Sequence, residues 1–147
     1  LLISGHGVMQ RYHNKPEQTA EVLCDGRLRS GDVGRVDEDG FVYITGRAKE
    51  LIIVAGENVS PREIEDVLLQ HPAVTEAAVI GVPDDLRGEI PVAFVVLREG
   101  VAANANELRE HCRSRLAGYK VPREIQIESE LPRAASGKIL KKALKLR

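Results

Sequence analysis

The stretch from Ser60 to Pro72 constrains the fold more than any other part of this chain. Ser60 suits a helix N-cap, Pro61 the first helical position, and Glu63 would complete a capping box. Ile64, Val67, Leu68 and His71 then share one face, and Pro72 ends the helix. A helix with one apolar face must bury it, and the segments around it read as strands. Leu51–Val54 is an apolar run bounded by Gly46 and Gly56. Ala77–Val82 and Val92–Leu97 are two more, and Glu124–Glu128 alternates as a half-buried strand. Asn104 and Glu107 can cap a further helix, with Leu108, Cys112 and Leu116 on its buried side and Gly118 at its end. Ile139–Leu146 reads as a short last helix. From residue 50 the predicted order is β-α-β-β-α-β-α, an α+β fold in which helices pack on a small mixed sheet.

The front of the chain reads differently. Residues 1–30 are loop-rich, with Gly5, Gly7, Asn14, Pro16 and Gly26. Residues 33–45 read as a hairpin, because DEDG separates two β-prone runs and Asp-Gly is a strong turn signal. The first 46 residues look too loop-rich to stand as a domain, so a boundary is expected at residues 47–49. The chain opens in apolar Leu1-Leu2-Ile3 without a methionine and reads as a piece of something larger.

Composition excludes several classes of function. At 147 residues and 43% hydrophobic, the chain can bury one core. Aromatics are 3% and Trp is absent, which argues against base-stacking surfaces for single-stranded nucleic acid. A net charge of −1 carries no footprint for nucleic acid or acidic membranes. No apolar run is long enough for a membrane span, and no signal peptide is evident. Two cysteines, Cys24 and Cys112, are too few for a secreted disulfide scaffold and point to a reduced, cytoplasmic setting. His6, His13, His71 and His111 are scattered and make no metal site, and no Ser or Cys has a base at nucleophile spacing.

Three short segments carry chemistry. PRAASGKILKK puts Lys138 behind Ser136-Gly137 in a loop opened by Pro132. A Lys on a glycine-hinged loop is a movable positive charge that can meet a phosphate or carboxylate. Alone it is also an ordinary member of a basic tail with Lys141, Lys142, Lys145 and Arg147. RSGDVG holds one carboxylate, Asp32, in a glycine-flanked turn; two carboxylate oxygens can accept from two vicinal hydroxyls, and Asp can equally cap a turn. ITGRAKELIIVAGENVSPREIE joins Ile44, Arg47 and Lys49 to a glycine turn at Gly56-Glu57-Asn58 and the capped helix. There Arg47 could be a salt-bridged strand end, Ile44 plain core, Lys49 a surface Lys, and Gly56 a hairpin turn.

Together and in this order, the three segments resemble the C-terminal part of the adenylate-forming enzymes. These include acyl-CoA synthetases, aryl-CoA ligases, luciferases and peptide-synthetase adenylation domains. The resemblance covers nearly the whole chain. It implies that 1–46 is the end of a large nucleotide- and acyl-binding domain, β-rich here, 47–49 the hinge, and 50–147 the mobile C-terminal domain. Asp32 would bind the ribose hydroxyls of ATP, Ile44 would pack on the nucleoside, and Arg47 would contact ribose and phosphate. Lys49 would be the hinge residue. Gly56, Glu57 and Asn58 would line the path of CoA. Lys138 would be the catalytic residue of adenylation, stabilising charge on the phosphate and carboxylate oxygens.

The intact enzyme would use ATP, magnesium and CoA to convert a fatty or aromatic carboxylic acid to its acyl-CoA, with AMP and pyrophosphate released. The family's phosphate loop, its magnesium-holding Glu motif and most of the acyl pocket are not among these residues. The chain alone would therefore be inactive, would bind no cofactor tightly, and would pack on its own N-terminal domain in the intact protein. No carrier-protein motif follows Lys138, which favours a CoA ligase. Delivery to a carrier protein is the alternative within enzymes, and a non-catalytic interaction module the alternative outside them.

Overall fold

The computed structural model describes residues 1–144, and the backbone divides into one unit from Leu1 to Lys49 and a second beginning at Glu50. The first unit holds β1 (Leu2–Ile3), α1 (Pro16–Val22), β2 (Leu23–Cys24), β3 (Arg27–Arg29), β4 (Asp32–Val36) and β5 (Val42–Arg47). Strands β1, β3 and β2 form a small antiparallel sheet, and β4 and β5 form the predicted hairpin. At its tip Asp37 Oδ1 accepts from the amides of Asp39 and Phe41, at 3.1 and 2.8 Å. Helix α1 was not legible in the sequence. Pro16 and Glu17 mark its start, but none of its residues is buried, so there is no apolar stripe to read.

The second unit follows the α+β expectation with one added strand. Its elements are β6 (Ile52–Val54), β7 (Glu57–Val59), α2 (Pro61–Leu69), β8 (Val74–Asp84), β9 (Gly88–Leu97), α3 (Ala105–Arg113), β10 (Glu124–Glu128) and α4 (Lys141–Leu144). The long β8–β9 hairpin is the centre, paired from Val74–Leu97 to Asp84–Gly88 with one register shift between Val74 and Glu76. Strand β10 joins β9 in parallel, after the crossover through α3 that such pairing requires. Strand β6 touches β9 at Val54–Gly88 and pairs with β7 on its other side. Strand β7 was read as loop because it is only three residues long.

Alternation along the central hairpin places two cores. Ala77, Val79, Ala93 and Val95 face Ile64, Val67 and Leu68 of α2 and Leu108 and Cys112 of α3. Ala78, Ile80, Val92 and Phe94 point the other way, under Leu131, Ile139 and Leu144. The segment that carries Lys138 is therefore the cover of the sheet's second face. Of the predicted last helix, α4 spans Lys141–Leu144; Leu146 lies outside the described residues, as do Lys145 and Arg147.

Two helix starts behave differently. Asn104 caps α3 as expected, its Oδ1 accepting from Asn106 and Glu107 amides at 3.0 Å each. Ser60 stands at the N-cap of α2, but its side chain makes no capping bond. The Glu63 carboxylate is instead gripped by Lys120 Nζ at 2.7 and 2.8 Å. A charge-assisted pair outcompetes the neutral reciprocal bond of a capping box. Helix α3 also ends earlier than Gly118, at Arg113. His71 packs, as read: its Nδ1 accepts from the Ala73 amide and its ring meets His111 edge-on at 5.0 Å.

Cys24 and Cys112 are both free thiols. Burial pushes the Cys112 thiol up to about 11, against a smaller lowering by Arg115. At pH 8 that leaves about one Cys112 in a thousand as the reactive thiolate. A thiol reagent should thus modify one cysteine, Cys24, in the native chain, and the second only after denaturant is added. Two equivalents reacting at one rate without denaturant would contradict this.

Candidate functional site

Strand pairing brings Asp32 and Arg47 together. They are direct partners across the β4–β5 hairpin, and Arg47 Nε lies 3.1 Å from Asp32 Oδ1. The turn before Asp32 is set by Gly31 at φ +77° and by Ser30 Oγ, which accepts from the Asp32 amide at 3.0 Å. The Ala48 amide donates to Gly31 O at 2.9 Å, tying this turn to the far end of β5. The Asp32 side chain is only 18% exposed, whereas Arg47 is mostly exposed. Ile44 lies on the same strand and is exposed rather than core. It stands opposite Gly34, beside a register shift at Val33–Gly34. A Cβ on Gly34 would come within 2.7 Å of the Tyr43 carbonyl, so the hairpin admits only glycine there. Nothing in the sequence singled out Gly34, because its constraint comes from the opposite strand.

Lys49 is exposed in a single 3-10 turn, Ala48–Glu50, at the end of the first unit. Among the described residues it has no ion-pair partner. Gly56 and Ala55 form the two-residue turn between β6 and β7, with φ of +89° and +51°. Positive φ at both positions marks the type I′ hairpin. No atom crowds a Cβ at Gly56, so conformation and not space requires the glycine. Glu57 and Asn58 follow on β7 and are exposed.

The loop of Lys138 is closed on both sides. Ala134 N donates to Lys138 O at 2.8 Å, Gly137 N to Ala134 O at 2.9 Å, and Leu140 N to Pro132 O at 2.7 Å. Gly137 has φ +81°, as the tight turn demands. Arg133 Nη1 donates to Gly137 O at 2.8 Å, and Arg133 Nη2 meets Glu76 Oε1 at 2.6 Å. On the far side, Lys141 Nζ pairs with Glu65 Oε1 at 2.7 Å and Glu50 Oε2 at 3.4 Å. Lys138 itself is exposed and has no ion-pair partner among the described residues. The partners Glu76 and Glu65 had no signal in the sequence, since they meet the loop only through the tertiary fold.

Asp32, Ile44 and Arg47 thus share one hairpin, while Gly56, Glu57 and Asn58 share another. No hydrogen bond or ion pair among the described residues joins the Gly56 turn to the Lys138 loop. Nor does any group of three or more His, Cys, Asp or Glu gather there as a metal site. No helix among those residues is long and apolar enough to cross a membrane.

Comparison with known proteins places these residues in context. Residues 63–138 match the family described as the AMP-binding enzyme C-terminal domain. A long-chain-fatty-acid–CoA ligase of Bacillus subtilis is 51% identical over 144 residues, covering 98% of this chain and 26% of the relative. The structure of o-succinylbenzoate CoA synthetase from Bacillus subtilis, in complex with an acyl-adenylate intermediate, aligns with a TM-score of 0.90. It is 42% identical and covers 98% of this chain and 29% of that one. An amide bond synthetase from Marinactinospora thermotolerans aligns at a TM-score of 0.93, with 39% identity, 99% coverage of this chain and 30% of that one. The chain thus spans between a quarter and a third of the length of each of these relatives.

Proposed function

Since the chain belongs to the AMP-binding enzyme C-terminal domain family of the adenylate-forming enzymes, we propose that it is the C-terminal part of an acid:CoA ligase that works through an acyl-adenylate. In this reading residues 1–46 end the large domain, 47–49 are the hinge, and 50–147 are the mobile domain. The intact protein would take ATP, magnesium, CoA and a fatty or aromatic carboxylic acid, in the cytoplasm. The exposed Val36, Phe41, Val42, Tyr43 and Ile44 support the first assignment, as a hairpin with so much exposed apolar surface suits a partner outside these residues.

The first half-reaction joins a carboxylate oxygen to the α-phosphorus of ATP and breaks the bond to pyrophosphate. Asp32 would accept from the ribose hydroxyls, with Oδ1 already steadied by Arg47. Arg47 would reach ribose and phosphate, and Ile44 would lie against the nucleoside. Lys138 would place its ammonium where negative charge grows. Rotation about Lys49 would then withdraw Lys138 and bring in the turn of Gly56, Glu57 and Asn58 along the path of CoA. Magnesium is given no ligand set by the described residues. The observation that carries this reading is the state of Lys138. Among the described residues it has no ion-pair partner and stands exposed on a clamped loop, while Arg133 and Lys141 on either side are both ion-paired.

The test is ATP–pyrophosphate exchange. The full-length protein should exchange only with its acid and without CoA, and should form the thioester once CoA is added. The chain of 147 residues alone should give no exchange with any acid. Thioester formation on a carrier protein, or an amide with an added amine, in place of acyl-CoA would reassign the acceptor. Lys49→Pro should lower the rate of thioester formation relative to adenylation, because proline fixes its own φ and restricts Ala48. Equal loss in both steps would remove Lys49 from the hinge.

A further inference from the structure

We propose that Arg133 and Glu76 are a positioning pair for Lys138. The inference rests on the reading of Lys138 as the adenylation residue. Arg133 uses its two arms in different directions. Nη1 holds the Gly137 carbonyl at 2.8 Å, and Nη2 holds Glu76 Oε1 at 2.6 Å. The Gly137 carbonyl belongs to the peptide unit that also carries the Lys138 amide. Fixing that plane fixes where the Lys138 side chain leaves the backbone. Glycine at φ +81° is otherwise the freest point of the loop.

Glu76 supplies the rigid end. It belongs to β8, next to Ala77 and Ala78, which are buried on the two faces of the sheet. Its Oε2 is buried and has no hydrogen-bond partner among the described residues, so the carboxylate is held through Oε1, by Arg133. The pair links a core strand to the peptide before Lys138 through two charge-assisted contacts. A planar guanidinium can span both; an ammonium is a point charge and cannot hold the same fork. The flanking pair of Lys141 with Glu65 fastens the other end of the segment to α2, through a carboxylate that also accepts from the Val79 amide at 2.8 Å. The lysine is therefore delivered from a loop that is fixed at its base and free at its tip.

The experiment uses the full-length protein and follows both half-reactions. Arg133→Ala is expected to slow ATP–pyrophosphate exchange about 10²-fold, the cost of a misplaced catalytic group. Attack of CoA on supplied acyl-adenylate should be unchanged. In a Lys138→Ala background the same substitution should cost nothing further, because there is no ammonium left to position. Arg133→Lys keeps a cation beside Glu76 and so protects the fold, yet should still lose exchange through the lost Gly137 contact. Wild-type exchange in Arg133→Lys, equal slowing of both steps, or full additivity with Lys138→Ala would each overturn the proposal. Normal exchange in Lys138→Ala alone would instead overturn the reading of Lys138 beneath it, and the positioning role with it.

Discussion

Replacing Lys138 with alanine in the full-length protein is expected to slow acyl-adenylate formation about 10²–10³-fold, the usual cost of removing one group that stabilises transition-state charge. The structure separates this effect from damage to the fold. Lys138 is exposed and makes no ion pair among the described residues, so its truncation breaks no salt bridge there. The loop is held by Arg133, by backbone bonds and by Ile139, which packs against the second core. CoA attack on supplied acyl-adenylate should stay within a few-fold of wild type, since that step is assigned to the opposite pose of the domain. Single-turnover measurement of each half-reaction is the check. Equal loss in both would mean that Lys138 binds nucleotide uniformly or holds structure, and the central assignment would fail.

Asp32→Ala should raise the dissociation constants of ATP and AMP about 10²-fold or more. Two hydroxyls bonded to one carboxylate are worth about 1.5–3 kcal/mol each. Stability should change little, because the Arg47 partner is mostly exposed and such pairs contribute about 0–1 kcal/mol. Calorimetric titration with AMP, alongside thermal unfolding, separates the two. A large drop in melting temperature with unchanged AMP affinity would make the Asp32–Arg47 pair a structural clasp and nothing more.

The fold was legible where local chemistry and burial agree. The DEDG turn between β-prone runs, the Asn104 cap and the Pro61 start of α2 all state their geometry within a few residues, whereas α2 ends at Leu69, before His71 and Pro72. The alternation along β8 and β9 was visible only in part, and both strands run longer than their apolar centres. Helix α1 escaped because it buries nothing, and β7 because it is too short to alternate. The Glu63 capping box failed for a different reason. Its competitor, Lys120, lies far away in sequence, and no local pattern can weigh a partner brought in by tertiary folding. The same holds at the candidate site. Asp32, Arg47 and Lys138 stand out by residue type beside glycine. Gly34, Glu76 and Glu65 matter through what faces them, and that depends on strand register.

The cover on the second face of the central sheet has a consequence for biosynthesis. Ala78, Ile80, Val92 and Phe94 leave the ribosome before Leu131, Ile139 and Leu144, which shield them. A nascent chain that stalls before residue 131 therefore presents a bare apolar sheet face, the kind of surface that chaperones and proteases recognise. Lys138 lies inside the shielding segment. A chain cut short before Lys138 therefore also lacks Ile139 and Leu144, and with them most of the cover of this sheet face.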